Sequence, residues 1–310
     1  MKKMSSRLAT SLCGLSLRNP VLAASGTYAY GVEFGRLADL SALGGIVVKG
    51  LSREPMDGNP PPRLYETEAG MMNSVGLQNI GVRAFVAEKL PGLRGIDTPI
   101  LANVFGYAVE DYLEVIQALE DAEGIAAYEL NVSCPNVKHG GIFFSSDPAL
   151  LAELTAAARK IAKRPLIVKL SPNVARIDTI AKSAEDAGAD GISLVNTFLA
   201  LAIDARTRRP RLGNGCGGLS GPAIKPIALR MVYEASKAVK IPVIGLGGIA
   251  SGIDAAEFLI AGASAVQVGT ANFWDPGAPQ RVARELDGFL KQEKIQSVAQ
   301  LVGSLTMERP

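Results

Sequence analysis

Gly45-Ile46-Val47-Val48-Lys49-Gly50 is a short β-branched run that ends on a lysine and a glycine. An apolar run of this length without polar alternation suits a strand covered on both faces, as in a parallel sheet. The same pattern recurs on either side of it. Val21 to Ala24 precedes it, while Pro99-Ile100-Leu101-Ala102-Asn103-Val104 and Ala126-Ala127-Tyr128-Glu129-Leu130-Asn131-Val132 follow. Then come Leu166-Ile167-Val168-Lys169-Leu170, Gly191-Ile192-Ser193-Leu194-Val195-Asn196, Pro242-Val243-Ile244-Gly245 and Ala265-Val266-Gln267-Val268, eight runs in all. Helical stripes lie between them: Tyr112, Val115, Ile116 and Leu119; Leu150, Leu151, Leu154, Ala158 and Ile161; and Ala255, Ala256, Leu259 and Ile260. Asp147-Pro148 gives the second stripe an N-cap and a proline at the first helical position. Eight strand–helix units in 310 residues predict an α/β chain folded as a TIM (β/α)8 barrel, with a doubly wound sheet as the alternative. No linker, repeat or low-complexity tract divides the chain, so residues 1–310 read as a single domain.

Two connections exceed ordinary loop length. Residues 51–80 carry Pro55, Pro60, Pro61 and Pro62, and residues 198–220 carry Arg206, Arg208, Arg209 and Arg211 before a glycine-rich end. Both follow strand C-termini, so they read as long inserted loops at the face where barrel active sites are built. Oligomer contact is the alternative use.

Composition narrows the function. With 32 Lys+Arg against 30 Asp+Glu, there is no basic excess to neutralise phosphate backbones, and 5% aromatic residues leave little for base stacking. Nucleic acid is therefore not an expected partner. No apolar run approaches the roughly 18 residues of a membrane span, and the basic start Met1-Lys2-Lys3-Met4 is followed by no signal-peptide core. The expectation is a soluble cytoplasmic protein. One histidine and three dispersed cysteines argue against a metal site, a disulfide framework and most Ser-His-Asp arrangements. Catalysis then falls to lysine, cysteine, acidic residues or a bound cofactor.

The strand ends carry the candidates: Lys49, Asn103, Asn131, Lys169, Asn196 and Thr197. In a barrel these converge on the mouth. A strand-end lysine can be a structural ion pair, or it can offer charge to a carboxylate or an electron-rich cofactor. Asparagine carries a donor and an acceptor, which suits a planar ring with amide edges. Glycines after the last two strands, Gly245-x-Gly247-x-x-Ala250 and Gly269-Thr270, suit either tight turns or backbone N–H contact with a phosphate. The similar Gly213-x-Gly215-x-x-Gly218 follows no strand and carries no dinucleotide reading. Asn131-Val132-Ser133-Cys134-Pro135-Asn136 places Cys134 among polar residues just past the fourth run, followed by Gly140-Gly141. That context suggests a reactive thiol on a loop, although a cysteine is more commonly a small hydrophobe. A Cys134–His139 pair is the weaker option, and Cys13 and Cys216 read as incidental.

Taken together, the pieces resemble the class 1 dihydroorotate dehydrogenases, FMN enzymes of pyrimidine synthesis. The matching stretches are Asn19-Pro20-Val21 through Ala24-Ser25-Gly26, Gly58-Asn59-Pro60 through Pro62-Arg63, Asn73-Ser74-Val75-Gly76-Leu77-Gln78-Asn79, Asn131 to Asn136, Gly217 to Pro222, Gly245 to Gly248, and Gly269-Thr270. They run in the family's order along nearly the whole chain. The resemblance implies FMN held by Ser25, Lys49, Gly50, Asn103, Asn131, Lys169, Val195, Gly221, Gly247, Gly248, Gly269 and Thr270. It implies dihydroorotate held by Lys49, Asn73, Ser74, Val75, Gly76, Leu77, Asn131, Asn136, Asn196 and Thr197. Cys134 matches the catalytic base that takes the C5 proton while flavin N5 accepts hydride from C6, with Lys49 and Lys169 as catalytic cations. A free thiol pKa of about 8.5 suits that task.

The segment Glu66-Thr67-Glu68-Ala69-Gly70-Met71-Met72-Asn73 to Gly81-Val82 most resembles the class 1B catalytic subunit. Cysteine at position 134 and the absence of an N-terminal extension argue against class 2. Class 1B implies a homodimer joined by a partner subunit that carries FAD and a [2Fe–2S] cluster and reduces NAD. This chain lacks the four-cysteine set of such a cluster. Alternatives are a fumarate-dependent class 1A-like enzyme, a Schiff-base aldolase built on Lys169, and a non-catalytic barrel.

Overall fold

The computed structural model describes residues 6–132 and 144–307. Eight parallel strands, β1 (Val21–Ala23), β2 (Gly45–Val47), β3 (Ile100–Val104), β4 (Ala127–Asn131), β5 (Leu166–Lys169), β6 (Gly191–Leu194), β7 (Val243–Leu246) and β8 (Ala265–Val268), close into a barrel. Each pairs with its neighbour in sequence, and β8 pairs with β1. A doubly wound sheet would reverse its strand order instead, so that alternative is excluded.

The uninterrupted apolar runs have a direct cause. Leu22, Leu101, Ala127, Ile167, Ile244 and Ala265 point inward and form one cluster, while Val21, Tyr128, Leu130, Val168 and Val266 point outward into the core beneath the helices. Both faces are buried, so both read as apolar. The hairpin of Thr10–Leu12 and Leu15–Leu17 lends Leu12 and Leu17 to the inner cluster, closing the barrel where the strands begin. Sequence reading missed this hairpin. At its turn the partly buried Cys13 donates to the Asp190 carbonyl at 3.2 Å, and burial, then Asp190, pushes its thiol up to about 12. That is a packing role.

Outside the barrel lie α1 (Val109–Glu120), α2 (Pro148–Ile161), α3 (Ile177–Asp186), α4 (Lys225–Ala238), α5 (Gly252–Ile260) and α6 (Ala278–Gln292). The Asp147 carboxylate accepts from Ala149 N–H at 2.8 Å and Leu150 N–H at 3.3 Å, so it caps α2 as its sequence position predicts. The crossover from β1 to β2 departs from the expected strand–helix unit: it holds only the 3₁₀ turns Val32–Arg36 and Leu40–Ala42. Among the described residues no helix is long and apolar enough to cross a membrane.

The two long insertions meet each other. Phe198–Ala200, Gly217–Ser220, Gly70–Asn73 and Leu64–Thr67 form one antiparallel sheet in that order, with Gly218 opposite Asn73 and Leu219 opposite Met72. This sheet walls one side of the cleft at the C-terminal ends of the strands.

Candidate active site

The floor of the cleft begins where the inner apolar layer ends. Two residues along β4 from Ala127, the inward position is Glu129, which is 0% exposed. Its Oε1 accepts from Asn103 Nδ2 at 2.7 Å and lies 3.6 Å from Lys169 Nζ. Its Oε2 accepts from Ser193 Oγ at 2.8 Å and Gln267 Nε2 at 2.7 Å. Strand register makes this possible: Asn103 pairs with Glu129 across β3–β4, and Ser193 with Lys169 across β5–β6. A buried carboxylate costs several kcal/mol unless its oxygens are satisfied; here both are.

The strand ends form the next layer. Asn131 Nδ2 donates to Asn103 Oδ1 at 3.4 Å, and the Asn131 carbonyl accepts from Tyr112 OH at 2.9 Å, pinning the end of β4. Lys49 lies two residues past β2 and shares the cleft with Lys169. Burial first, and then the neighbouring Lys169 charge, lower the proton affinity of Lys49. Two cations above one carboxylate leave a positive balance, which favours an anionic ligand.

The walls come from the loops. Asn196 Oδ1 accepts from Thr197 N–H at 2.8 Å, and Asn173 Nδ2 donates to the Thr197 carbonyl at 3.1 Å. Across the strand Gly217–Ser220 from them, Asn73 Nδ2 donates to the Gly218 carbonyl at 3.4 Å, and Ser74 to Leu77 also line the cleft. Asn59 Nδ2 donates to the Ser74 carbonyl at 3.0 Å and holds that segment in place.

Gly247 and Gly248 follow β7 with φ of 126° and 79°. A Cβ on either would come within 2.7 Å of Ala228 Cβ or Lys225 Cβ, so both positions need glycine. Among the described residues no protein acceptor takes the N–H of Gly247, Gly248 or Gly269. Asp254, in the first turn of α5, steadies this turn by accepting from Ala250 N–H at 2.9 Å and Ser251 N–H at 2.8 Å, and it pairs with Lys225 at 2.6 Å. Burial opposes ionisation of Asp254, but Lys225 and these donors hold its carboxyl below the ordinary aspartate value.

One cleft of about 400 Å³ gathers these residues, within the roughly 300–1,000 Å³ of small-molecule sites. Ser25, Lys49, Gly50, Asn103, Asn131, Lys169, Val195, Gly221, Gly247, Gly248, Gly269 and Thr270 line it, as do Asn73, Ser74, Val75, Gly76, Leu77, Asn196 and Thr197. Cys134, Asn136 and His139 lie outside the described residues. The exposed Cys216 also lines the cleft. Sequence reading missed Gln267, Glu129, Ser193 and Asn173. The first two had a signal, since each is polar within an apolar strand, and Glu129 lies two residues before Asn131 and so on the same face. Asn173 had none, because its loop brings it to the cleft. Among the described residues no group of three or more His, Cys, Asp or Glu could hold a metal ion.

The family model described as dihydroorotate dehydrogenase matches residues 7–290. A Solibacter usitatus protein named "Putative dihydroorotate dehydrogenase A (fumarate)" is 70% identical over 302 residues, 97% of this chain and 99% of its own. The catalytic subunit of dihydroorotate dehydrogenase B (NAD(+)) from Geobacter sulfurreducens is 53% identical over 298 residues, covering 96% of this chain and 98% of its own. Its counterpart from Citrifermentans bemidjiense is 51% identical over 300 residues, with 97% and 98% covered. The crystal structure of DHODH from Eimeria tenella in complex with ferulenol shares the fold at a TM-score of 0.83 and 22% identity, covering 98% of this chain and 90% of that one.

Proposed function

From the premise that the chain belongs to the dihydroorotate dehydrogenase family, we propose that it oxidises dihydroorotate to orotate as the FMN-binding catalytic subunit of a class 1B enzyme. One observation carries this reading: Lys49, Asn103, Asn131 and Lys169, from four successive strands, meet the Asn73–Leu77 segment and the Asn196–Thr197 pair in one cleft.

The residues present suit FMN. N–H groups at Gly247, Gly248 and Gly269 that no acceptor among the described residues takes match a phosphate, and the two-lysine floor matches an electron-rich ring. Gly221 and Thr270 would join them in holding the phosphate, and Ser25, Gly50, Asn103, Lys169 and Val195 would hold the ring. When bound, FMN supplies the hydride acceptor. The chain's own residues do the rest. Lys49 offers its charge to the substrate carboxylate, and Asn73, Asn131, Asn136, Asn196 and Thr197 supply donors and acceptors for the amide edges. Ser74 to Leu77 close over that edge, holding the reacting carbon in place. Cys134, three residues past β4 in sequence, takes the C5 proton.

The class 1B reading sends electrons to a partner subunit with FAD and a [2Fe–2S] cluster and then to NAD, within a cytoplasmic heterotetramer built on a homodimer of this single-domain chain. Relatives at 51% and 53% identity named as NAD(+) catalytic subunits support it. The relative at 70% identity, named for fumarate, favours the second reading, in which the chain works without a partner. An anaerobic visible spectrum of the purified chain separates them. A yellow protein bleached by dihydroorotate and reoxidised by neither fumarate nor NAD supports class 1B, whereas rapid recovery with fumarate selects the second reading. A chain that is colourless and takes up no FMN would overturn both.

A further inference from the structure

Glu129 has no part in the mechanism above, yet it is the most deeply placed ionisable group in contact with the cleft floor, at 0% exposure. Packing does not require a carboxylate there. One layer below, on the same strands, Leu101, Ala127, Ile167 and Ala265 fill the barrel with apolar atoms, and replacing a buried ionic group by apolar residues is often neutral or stabilising. Four donors from four other strands converge on it instead: Asn103, Lys169, Ser193 and Gln267. Three of these, Asn103, Lys169 and Gln267, also line the cleft. Among the described residues Glu129 is the carboxylate within ion-pair distance of Lys169, and none stands that close to Lys49.

We propose that Glu129 is a positioning residue: its carboxylate fixes the Lys169 ammonium and the Asn103 amide on the cleft floor, and its charge sets the electron affinity of the flavin bound above them. The orientation argument is direct. Asn103 must turn Nδ2 toward Glu129, which leaves Oδ1 to accept from Asn131, so the polarity of both amides follows from the carboxylate. The charge argument follows from Coulomb's law in a water-poor interior. Lys169 favours the electron-rich reduced ring, and the carboxylate behind it partly offsets that pull. Its removal therefore makes the bound flavin easier to reduce. This inference rests on the FMN reading.

The test compares Glu129→Gln with the exchange Glu129→Gln plus Gln267→Glu, each reconstituted with FMN and equilibrated with a redox dye. Glu129→Gln can keep the packing, because Gln267 Oε1 has no partner and can turn to accept from the new amide, while Ser193 can rotate. The reduced-to-oxidised flavin ratio at a fixed dye potential rises at least tenfold in Glu129→Gln, about 30 mV for a two-electron couple. The exchange variant, whose carboxylate moves to β8, recovers only part of that change. A ratio within threefold of the unmodified protein overturns the proposal, and so does full recovery in the exchange variant, since any buried charge would then suffice. If Glu129→Gln fails to fold, the exchange variant decides alone: a raised ratio supports the proposal and an unchanged ratio overturns it. Failure of both to fold, with Lys169→Met folding normally, assigns Glu129 to barrel stability and also overturns it. An unmodified chain that takes up no FMN defeats the dehydrogenase reading and this inference together; an unmodified chain that binds FMN, with no shift in Glu129→Gln, defeats this inference alone.

Discussion

Lys49 is the residue on which substrate affinity should turn. Its proton affinity is lowered by burial and by Lys169, so its charge is complete below its folded pKa and is lost, as pH rises, earlier than in an ordinary lysine at 10.5. Orotate titrations of the FMN-loaded protein should therefore show affinity falling with pH before the ordinary lysine range. Lys49→Gln should remove that alkaline limb and weaken orotate binding about ten- to a hundredfold, as expected for a lost charged hydrogen bond of roughly 1.5–3 kcal/mol. Cys134 is the matching prediction for proton transfer. Cys134→Ala should keep its FMN, while rapid mixing with dihydroorotate should show flavin reduction slowed by about 10²- to 10⁴-fold. Normal reduction would remove Cys134 from the mechanism. The strand-end lysines and asparagines that line the cleft, Lys49, Asn103, Asn131, Lys169 and Asn196, were readable because a strand end announces itself locally: an apolar run stops and a polar residue follows. Glu129 was quoted within such a run, yet nothing local says that four other strands will bring donors to it.

The glycine turn between β7 and α5 is an element with two supports. The left-handed Gly248 lets the chain pass within contact of Lys225, and Asp254 ties the turn to the first turn of α5. Gly248→Ala should purify with a markedly lower FMN content, read from the ratio of visible to ultraviolet absorbance, because φ near 79° and a 2.7 Å contact both oppose a Cβ. Asp254→Ala loses the N3 half of the capping box that Ser251 begins, together with the Lys225 pair, about 1 kcal/mol in all, and should melt at a lower temperature. The sign with pH follows from its depressed pKa. The stabilisation is full above the ordinary aspartate value of 3.8 and is lost as pH falls through the lower folded value, so the melting difference should fade only below pH 3.8. The sequence shows that glycines sit here; it does not distinguish a turn forced by crowding from one shaped for a ligand. The contacts of Gly248 and the N–H groups that no acceptor among the described residues takes speak to both.

At the scale of the whole molecule, the barrel and its cleft wall depend on pairings between distant parts of the chain. Asn73 and Gly218, 145 residues apart, face each other across the sheet that joins the two insertions. A side chain at Gly218 would meet Thr197 Oγ1 at 1.9 Å. Gly218→Val should therefore push the wall apart and raise KM for dihydroorotate several-fold, read from steady-state kinetics of the FMN-loaded protein. The barrel itself was legible because burial on both faces leaves a mark on every strand in turn, and the inserted loops were legible from their length. That the insertions pair as a sheet was not, since their strands are short and carry no strong alternation. By itself, then, the sequence determined the repeating strand–helix order, the polar residues at the strand ends and the family resemblance, because each is written in neighbouring residues. Only the tertiary structure decided that the insertions meet, that a hairpin plugs the barrel, and that Glu129 is the shared acceptor under the cleft. Those facts depend on which distant strands come into register once the barrel closes.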